Sequence, residues 1–347
     1  MPFTNAGSGT TITDRSAFGT VSPATVDPGI AMTDIAEPTY LRLLESGELA
    51  ERARTAHGHL ADCDLCARYC HVNRLEGTAG AACRTGERAV VSSYVPHHGE
   101  EAPLSGRYGS DTIFFSWCNL RCLYCQNYEI SWEGEGREVS ARELAAMMLS
   151  LQRQGCHNIN VVSPSHVVAQ ILDAVLIAAG DGLRLPLVYN TGGYDSPEAL
   201  ELLDGVIDIY MPDLKYGDST KARKHSKIRD YVAVNRAAVK EMHQQVGDLA
   251  VDANGIARRG LLIRHLVLPN EVADTQEVLR FLGEEISADT YVNIMGQYRP
   301  CFRAGEHSEL NRRPTGEEMR AAFGAAAEHG LHRLDERVPV RWLAGWM

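Results

Sequence analysis

The chain has 347 residues, 44% of them hydrophobic, and a formal net charge of −11. That length suits one large α/β domain with additions, and the acidity leaves no basic footprint for nucleic acid or an anionic membrane. No run approaches about 18 consecutive apolar residues and no basic segment followed by an apolar core opens the sequence, so no membrane span or secretory signal is expected. Nine cysteines is an odd number, and seven of them fall in two tight groups. In a cytoplasmic protein, the location expected here, that pattern reads as metal ligation rather than disulfides.

Residues 1–37 are rich in Thr, Ser, Gly, Pro and Ala and carry little apolar periodicity, which fits a flexible leader. A cysteine-rich, metal-binding region is expected over 38–107. It opens with a helical pattern at Leu41, Leu43, Leu44 and Leu49, followed by Cys63, Cys66, Cys70 and Cys83 in the spacing C-x2-C-x3-C-x12-C. Four thiolates from a compact loop close a metal site completely. Tetrahedral zinc and an auxiliary 4Fe-4S cluster both suit them, with reduced, metal-free cysteines as the third reading, and a closed site favours a structural role because no position stays open for a substrate. The polar, Pro-containing segment 91–110 leads into the first strand of a sheet. Its His97, His98, Glu100 and Glu101 either line a substrate mouth or form a solvated loop.

The second cysteine group follows the apolar run Ile113-Phe114-Phe115. Cys118, Cys122 and Cys125 stand in the spacing C-x3-C-x2-C. A strand that ends in such a loop can wrap three thiolates around one face of an iron–sulfur cube. Four thiolates are the usual complement, so one iron is left open to a small molecule. Zinc knuckles need four ligands at other spacings. Tyr124 is placed to pack against a flat ring beside that iron.

Beyond the loop, helices and strands alternate. Ser140 and Glu143 make a capping box for a helix with Leu144, Met147, Met148 and Leu151 on one face. A strand follows at 158–162, then a helix through Val168, Ile171, Leu172 and Val175, then a strand at 185–189. Ser196-Pro197 opens another helix, and a strand comes at 206–211. A helical stretch runs from about 219 to 246. A turn at Asp252–Gly255 precedes a strand at 261–268, a helix near 273–285 and a strand at 291–295. With the strand before the cluster loop, six strands alternate with helices, which points to a parallel sheet. Functional side chains of such folds stand at the C-terminal strand ends.

The loop Cys118–Cys125 resembles the signature of the radical S-adenosylmethionine (radical SAM) superfamily, in which an aromatic residue precedes the last cysteine. The strings Cys118–Ser131, His157–Asn160, Tyr210–Lys215 and Gln297–Pro300 look most like the pyruvate-formate-lyase-activating-enzyme-like members, from about residue 60 to 335. The resemblance implies a partial (β/α)6 barrel of TIM type over 108–305 with an N-terminal cysteine-rich extension, and a C-terminal helical extension over 306–347. It implies a 4Fe-4S cluster at Cys118, Cys122 and Cys125, S-adenosyl-L-methionine (SAM) on the open iron, and an external one-electron donor of flavodoxin or ferredoxin type.

Several positions follow from the family pattern. Ser163-Pro164-Ser165-His166 replaces the usual Gly-Gly-Glu stretch; the hydroxyls of Ser163 and Ser165 can still accept from the SAM ammonium, and His166 is a substrate ligand, a proton carrier or a packed turn residue. Asn190, Thr191, Met211 and Asp213 match positions that face a monovalent cation, and Lys215 matches one that approaches the SAM carboxylate. Arg264, on the fifth strand, can hold a substrate carboxylate, and Gln297, Tyr298 and Arg299 are further substrate contacts. Cys301 belongs to neither group. It is a hydrogen donor to a substrate radical or a small buried apolar residue. The first role makes the protein a sugar epimerase of the kind found in avilamycin-type antibiotic biosynthesis, with a small molecule as partner. The alternative is an activating enzyme that installs a glycyl radical on a partner protein.

Overall fold

The structure is a computed structural model in which residues 37–335 are described. The leader, up to residue 36, and residues 336–347 of the C-terminal extension lie outside the described residues.

The N-terminal helical pattern forms two helices, α1 (Tyr40–Ser46) and α2 (Glu48–Gly58), broken at Gly47 with φ +83°. The cysteine-rich loops follow without regular structure. Strand β1 (Ala89–His97) and helix α3 (Ala102–Ser105) come next, then β2 (Ser110–Phe115), α4 (Tyr128–Ser131) and β3 (Arg137–Val139). The alternating part comprises α5 (Ala141–Arg153), β4 (Ile159–Val162), α6 (Val168–Gly180), β5 (Leu187–Thr191), α7 (Pro197–Leu203), β6 (Ile209–Pro212), α8 (Ser219–Ser226), α9 (Tyr231–Val246), β7 (Ala250–Val251), β8 (Ala257–Leu266), α10 (Thr275–Phe281), β9 (Tyr291–Met295) and α11 (Gly316–Glu328).

β2, β4, β5, β6, β8 and β9 are neighbours in that order and all pair in parallel. These are the six strands expected from the apolar runs, and the fold is α/β with a mostly parallel sheet. Side chains alternate across it, as pleating requires. Ile113, Val161, Tyr189, Tyr210, Ile263 and Ile294 face the helices in the main core. Val188, Ile209, Met211 and Leu262 face the other way, packing with Leu104. The capping boxes at Ser140/Glu143 and Thr315/Glu318 both form, and Ser196 caps α7.

Two departures from the expected pattern matter for the site. The segment read as a lead into the sheet is strand β1, antiparallel to β2 on one side and to β3 on the other. It takes the edge of β2 that a closed barrel would offer to β9. Pro96 and the polar residues around it hide the strand, because proline breaks the usual pattern. The stretch 219–246 is two helices, broken at Lys227 with φ +59°. The N-terminal region shares the main core, since Leu49, Ala53, Ala56, Leu60 and Leu65 are buried with residues of α6.

Candidate active site

Cys118, Cys122 and Cys125 line one cavity of about 190 Å³ at the C-terminal ends of the parallel strands. Ser163, Asn190, Gly192, Asp213, Lys215 and Arg264 line it too. The cysteines are unbridged. Each sulfur meets at least one hydrogen-bonding group. The Leu120 N–H donates to Cys118 Sγ at 3.4 Å and Ser226 Oγ donates to Cys122 Sγ at 3.0 Å. Ser131 Oγ lies 3.1 Å from Cys125 Sγ. The loop backbone is held by the last turn of α8: the Leu123 N–H donates to His225 O at 2.8 Å and the Arg121 N–H to Ser226 O at 3.3 Å.

Burial pushes the Cys118 thiol up to about 12, against the Leu120 N–H, which lowers it. Burial likewise raises Cys122, against the nearby Lys215 charge. Such thiols ionise readily only onto a cation. The donor set therefore fits an iron–sulfur cube: three thiols that need a metal to become thiolates, one cavity, and a hydrogen-bonding group at each sulfur.

Opposite the loop, Lys215 Nζ lies 2.5 Å from Asp213 Oδ2. Burial disfavours the Lys215 charge, but Asp213 and the Cys122 thiolate outweigh this and hold its pKa above the ordinary lysine value. The strand ends that carry this pair are clamped by α9. Tyr231 OH donates within reach of Gly192 O (2.9 Å) and Asp213 O (3.0 Å) and accepts from the Lys215 N–H at 3.1 Å. Asn235 Nδ2 reaches Gly193 O at 2.9 Å. Gly193 has φ +72°, and a Cβ there would stand 2.1 Å from Asn235 Nδ2. A Cβ on Gly192 would meet Leu120 of the cluster loop at 2.6 Å. Glycine is required at Gly193, where φ is positive and the Asp213 carbonyl would stand 2.5 Å from a Cβ, whereas at Gly192 a Cβ would displace the end of the Leu120 side chain.

The Arg264 guanidinium stands in the same cavity among the chain's own carboxylates, with Nε 3.3 Å from Glu101 Oε1 and 3.9 Å from Asp213 Oδ1, and Nη1 3.8 Å from Glu100 Oε2. Nη1 also lies 3.5 Å from Asn190 Oδ1. Glu100 and Glu101 are buried, so they form neither a solvated loop nor a rim, and Asn293 Nδ2 donates to Glu101 at 2.7 Å. His97, beside them, lies 3.2 Å from Glu100 Oε1.

The sequence matches the model of the Radical SAM superfamily over residues 112–282. It is 30% identical over 280 residues to the uncharacterized protein MJ0674 of Methanocaldococcus jannaschii, covering 78% of this chain and 75% of that protein. The chain belongs to the radical SAM superfamily. Solved structures similar to it include Streptococcus suis SuiB bound to its precursor peptide SuiA, at 12% identity and a TM-score of 0.43 over 61% of this chain and 44% of that one. TYW1 with a lysine–pyruvate adduct is similar at 11% identity and a TM-score of 0.39, over 62% and 73%. The chain thus spans less than half the length of SuiB.

Not every position drawn from the radical SAM resemblance reaches the cavity. Tyr124 is buried behind the loop, edge-on to Tyr216 and Tyr298 at 6.4 and 6.0 Å. Tyr298 is itself buried and donates to Leu310 O at 2.7 Å. Ser165 Oγ lies 2.8 Å from Thr191 Oγ1, which donates to the buried Asp195 at 2.7 Å. Both hydroxyls therefore serve a strand-end network, and of the two residues only Thr191 also lines the cavity. Ser163 lines the cavity from a left-handed turn, φ +59°. Met211 packs in the inner core. Gln297 and Arg299 are exposed. Cys301 is half-buried beside the cluster loop but outside the cavity lining; its neighbour Phe302 stacks on Tyr128 at 5.0 Å, and the Arg303 N–H donates to Leu123 O at 3.0 Å.

Cys63, Cys66, Cys70 and Cys83 line a small site of their own, with Arg74 and His166. Burial raises the Cys66 thiol. The buried Arg74 donates to Thr85 O, His166 O and Gly86 O at 2.8, 2.9 and 3.1 Å, and its Nη1 lies 3.5 Å from Cys63 Sγ. The His166 Nε2 lies 3.0 Å from Ser116 O, and burial with the Arg74 charge pushes its pKa down to about 3. His166 is thus a neutral packing group between the two cysteine sites. Ser131, Ser226, Tyr231 and Asn235 were not legible as site residues, and Glu101, a candidate for the substrate mouth, was not legible as the partner of Arg264. Only Ser131, six residues after Cys125, carried a positional hint.

Proposed function

We propose that the cavity binds SAM against a 4Fe-4S cluster on Cys118, Cys122 and Cys125 and directs hydrogen abstraction at a C–H bond of a small polar molecule. The observation that carries this is the meeting of three cysteines, Lys215, Asp213 and Arg264 around one cavity at the strand ends. When bound, the reduced cluster and SAM supply a 5′-deoxyadenosyl radical, and the chain's own residues orient and exclude water. Lys215 holds the SAM carboxylate, with Asp213 fixing the ammonium's position. Ser163 and the strand-end carbonyls accept from the SAM amino group. The positive charge that a monovalent cation supplies in related activating enzymes comes instead from Arg264, whose guanidinium stands between Asn190 and Asp213.

The finer reading is epimerisation of a sugar-containing natural product. In it Cys301 returns a hydrogen atom to the substrate radical, after the 297–303 segment brings the thiol to the cavity. The four N-terminal cysteines hold a closed metal, zinc or a second 4Fe-4S cluster, that fixes the module against the loop. The test is anaerobic reconstitution with iron and zinc counts, electron paramagnetic resonance with and without SAM, and assay of 5′-deoxyadenosine. About four irons at the 118–125 site, a SAM-dependent change of the signal and 5′-deoxyadenosine release are expected. A protein that binds iron but leaves SAM intact under reduction overturns the proposal.

A further inference from the structure

Among the described residues, His225, His307 and Glu309 each offer one ligand atom, and these atoms all lie within 4.8 Å of one another. His225 is fully buried, and neither of its ring nitrogens has a hydrogen-bond partner. Leaving such a group unsatisfied costs about 1–3 kcal/mol, so it calls for an explanation. Its Nε2 lies 3.6 Å from Glu309 Oε1. That is too long for a hydrogen bond. It is close to the spacing of two donors on one tetrahedral ion, about 3.4 Å for bonds of about 2.1 Å. The His307 ring meets the His225 ring edge-on, 5.5 Å between centroids.

The surroundings are preset. The His307 N–H donates to Ala304 O at 3.0 Å and Asn270 Nδ2 donates to Glu309 O at 2.9 Å, so both ligands sit on a fixed turn. Both ring nitrogens of His225 lack a hydrogen-bond partner, and Nε2 faces Glu309, so the ring offers a lone pair toward this side-chain cluster. The opposing groups are Lys224, whose ammonium rests on Glu309 Oε1, and Lys221, which also acts on His225. Lys224 is 55% exposed and can swing into water.

We propose that His225, His307 and Glu309 form a binding site for a borderline divalent transition ion, zinc foremost, with a fourth position left to water. Two imidazoles and one carboxylate suit zinc or iron(II) rather than calcium or magnesium. The ion staples the 304–310 turn to the last turn of α8, whose His225 O and Ser226 Oγ hold the cluster loop.

The experiment adds one equivalent of zinc to the anaerobically reconstituted full chain, removes the excess by dialysis, and reads metal content and the zinc K-edge absorption spectrum. One retained zinc with a nitrogen and oxygen shell is expected. His307→Ala and Glu309→Gln, both on a surface turn, should weaken retention at least tenfold, while Lys224→Ala should tighten it severalfold by removing the competing cation. Sulfur in the shell places the zinc in a cysteine group and overturns the proposal. So does failure to retain zinc, or retention unchanged in His307→Ala.

Discussion

Ser226 Oγ donates to Cys122 Sγ at 3.0 Å, across 104 positions of sequence. A donor to a cluster thiolate stabilises the more negative, reduced state, because the added electron raises the charge on sulfur. Ser226→Ala should therefore lower the midpoint potential of the cluster by about 40 mV, the equivalent of about 1 kcal/mol in a one-electron couple. A redox titration followed by electron paramagnetic resonance reads it directly. An unchanged potential would remove the serine from any tuning role.

Lys215→Met takes away the group assigned to the SAM carboxylate and leaves Asp213 facing the cavity without its partner. SAM affinity should fall at least tenfold, by equilibrium binding to the reconstituted protein, while the iron content stays the same. Loss of iron along with affinity would mean that the lysine supports the cluster loop rather than SAM.

Gly193 and Gly182 both have positive φ, +72° and +99°, but only Gly193 has neighbours that a Cβ would strike. Gly182→Ala should cost about 1 kcal/mol from backbone strain alone, and Gly193→Ala about 3 kcal/mol or more from strain plus overpacking. Denaturant unfolding of the two variants side by side separates the terms, and equal losses would contradict the clash with Asn235 and Asp213.

Asp111 is fully buried, with neither carboxylate oxygen hydrogen-bonded, and burial lifts its pKa to about 6, partly offset by the neighbouring Cys156 thiol. A raised folded pKa means that the folded chain binds a proton the unfolded chain has lost between about pH 4 and pH 6. Stability thus falls as pH rises through that window and levels off above it. Asp111→Asn removes the penalty, so its melting temperature should exceed that of the wild type at pH 7.5 and approach it near pH 4.5. A constant difference across that range would rule out the ionisation as the cause.

Cys301→Ala decides the finer functional reading. An epimerase that uses this thiol should still release 5′-deoxyadenosine but deliver no inverted product. Inversion at the wild-type rate would free Cys301 of the role and leave its packing beside Tyr298 and Phe302 as its explanation.

The sheet was legible because strands buried on both faces appear as apolar runs, such as Ile113-Phe114-Phe115 and Ile209-Tyr210-Met211. The Ser140/Glu143 capping box was legible because its chemistry is local. β1 was not, because Pro96 and its polar neighbours mask a strand that pairs only once β2 exists. The break at Lys227 was not, because the sequence around it lacks the glycine or proline that usually marks one. The site followed the same division. Cys118, Cys122 and Cys125 come together within eight positions, whereas the Glu101–Arg264 and Ser226–Cys122 contacts exist only through the fold. Tyr124 shows the limit of local spacing: its ring turned to Tyr216 and Tyr298, where burial is complete, rather than to the cavity.

Arg74 ties Thr85 O, Gly86 O and His166 O to one planar fork, so a single side chain spans the cysteine-rich segment and the loop after β4. Lysine cannot reproduce three donors aimed in fixed directions. Exchanging the N-terminal segment for one without this arginine would strand the His166 carbonyl in a dry interior, at about 1–3 kcal/mol. Recombination that cuts between the two parts therefore carries that cost unless the incoming segment brings its own arginine to the His166 carbonyl.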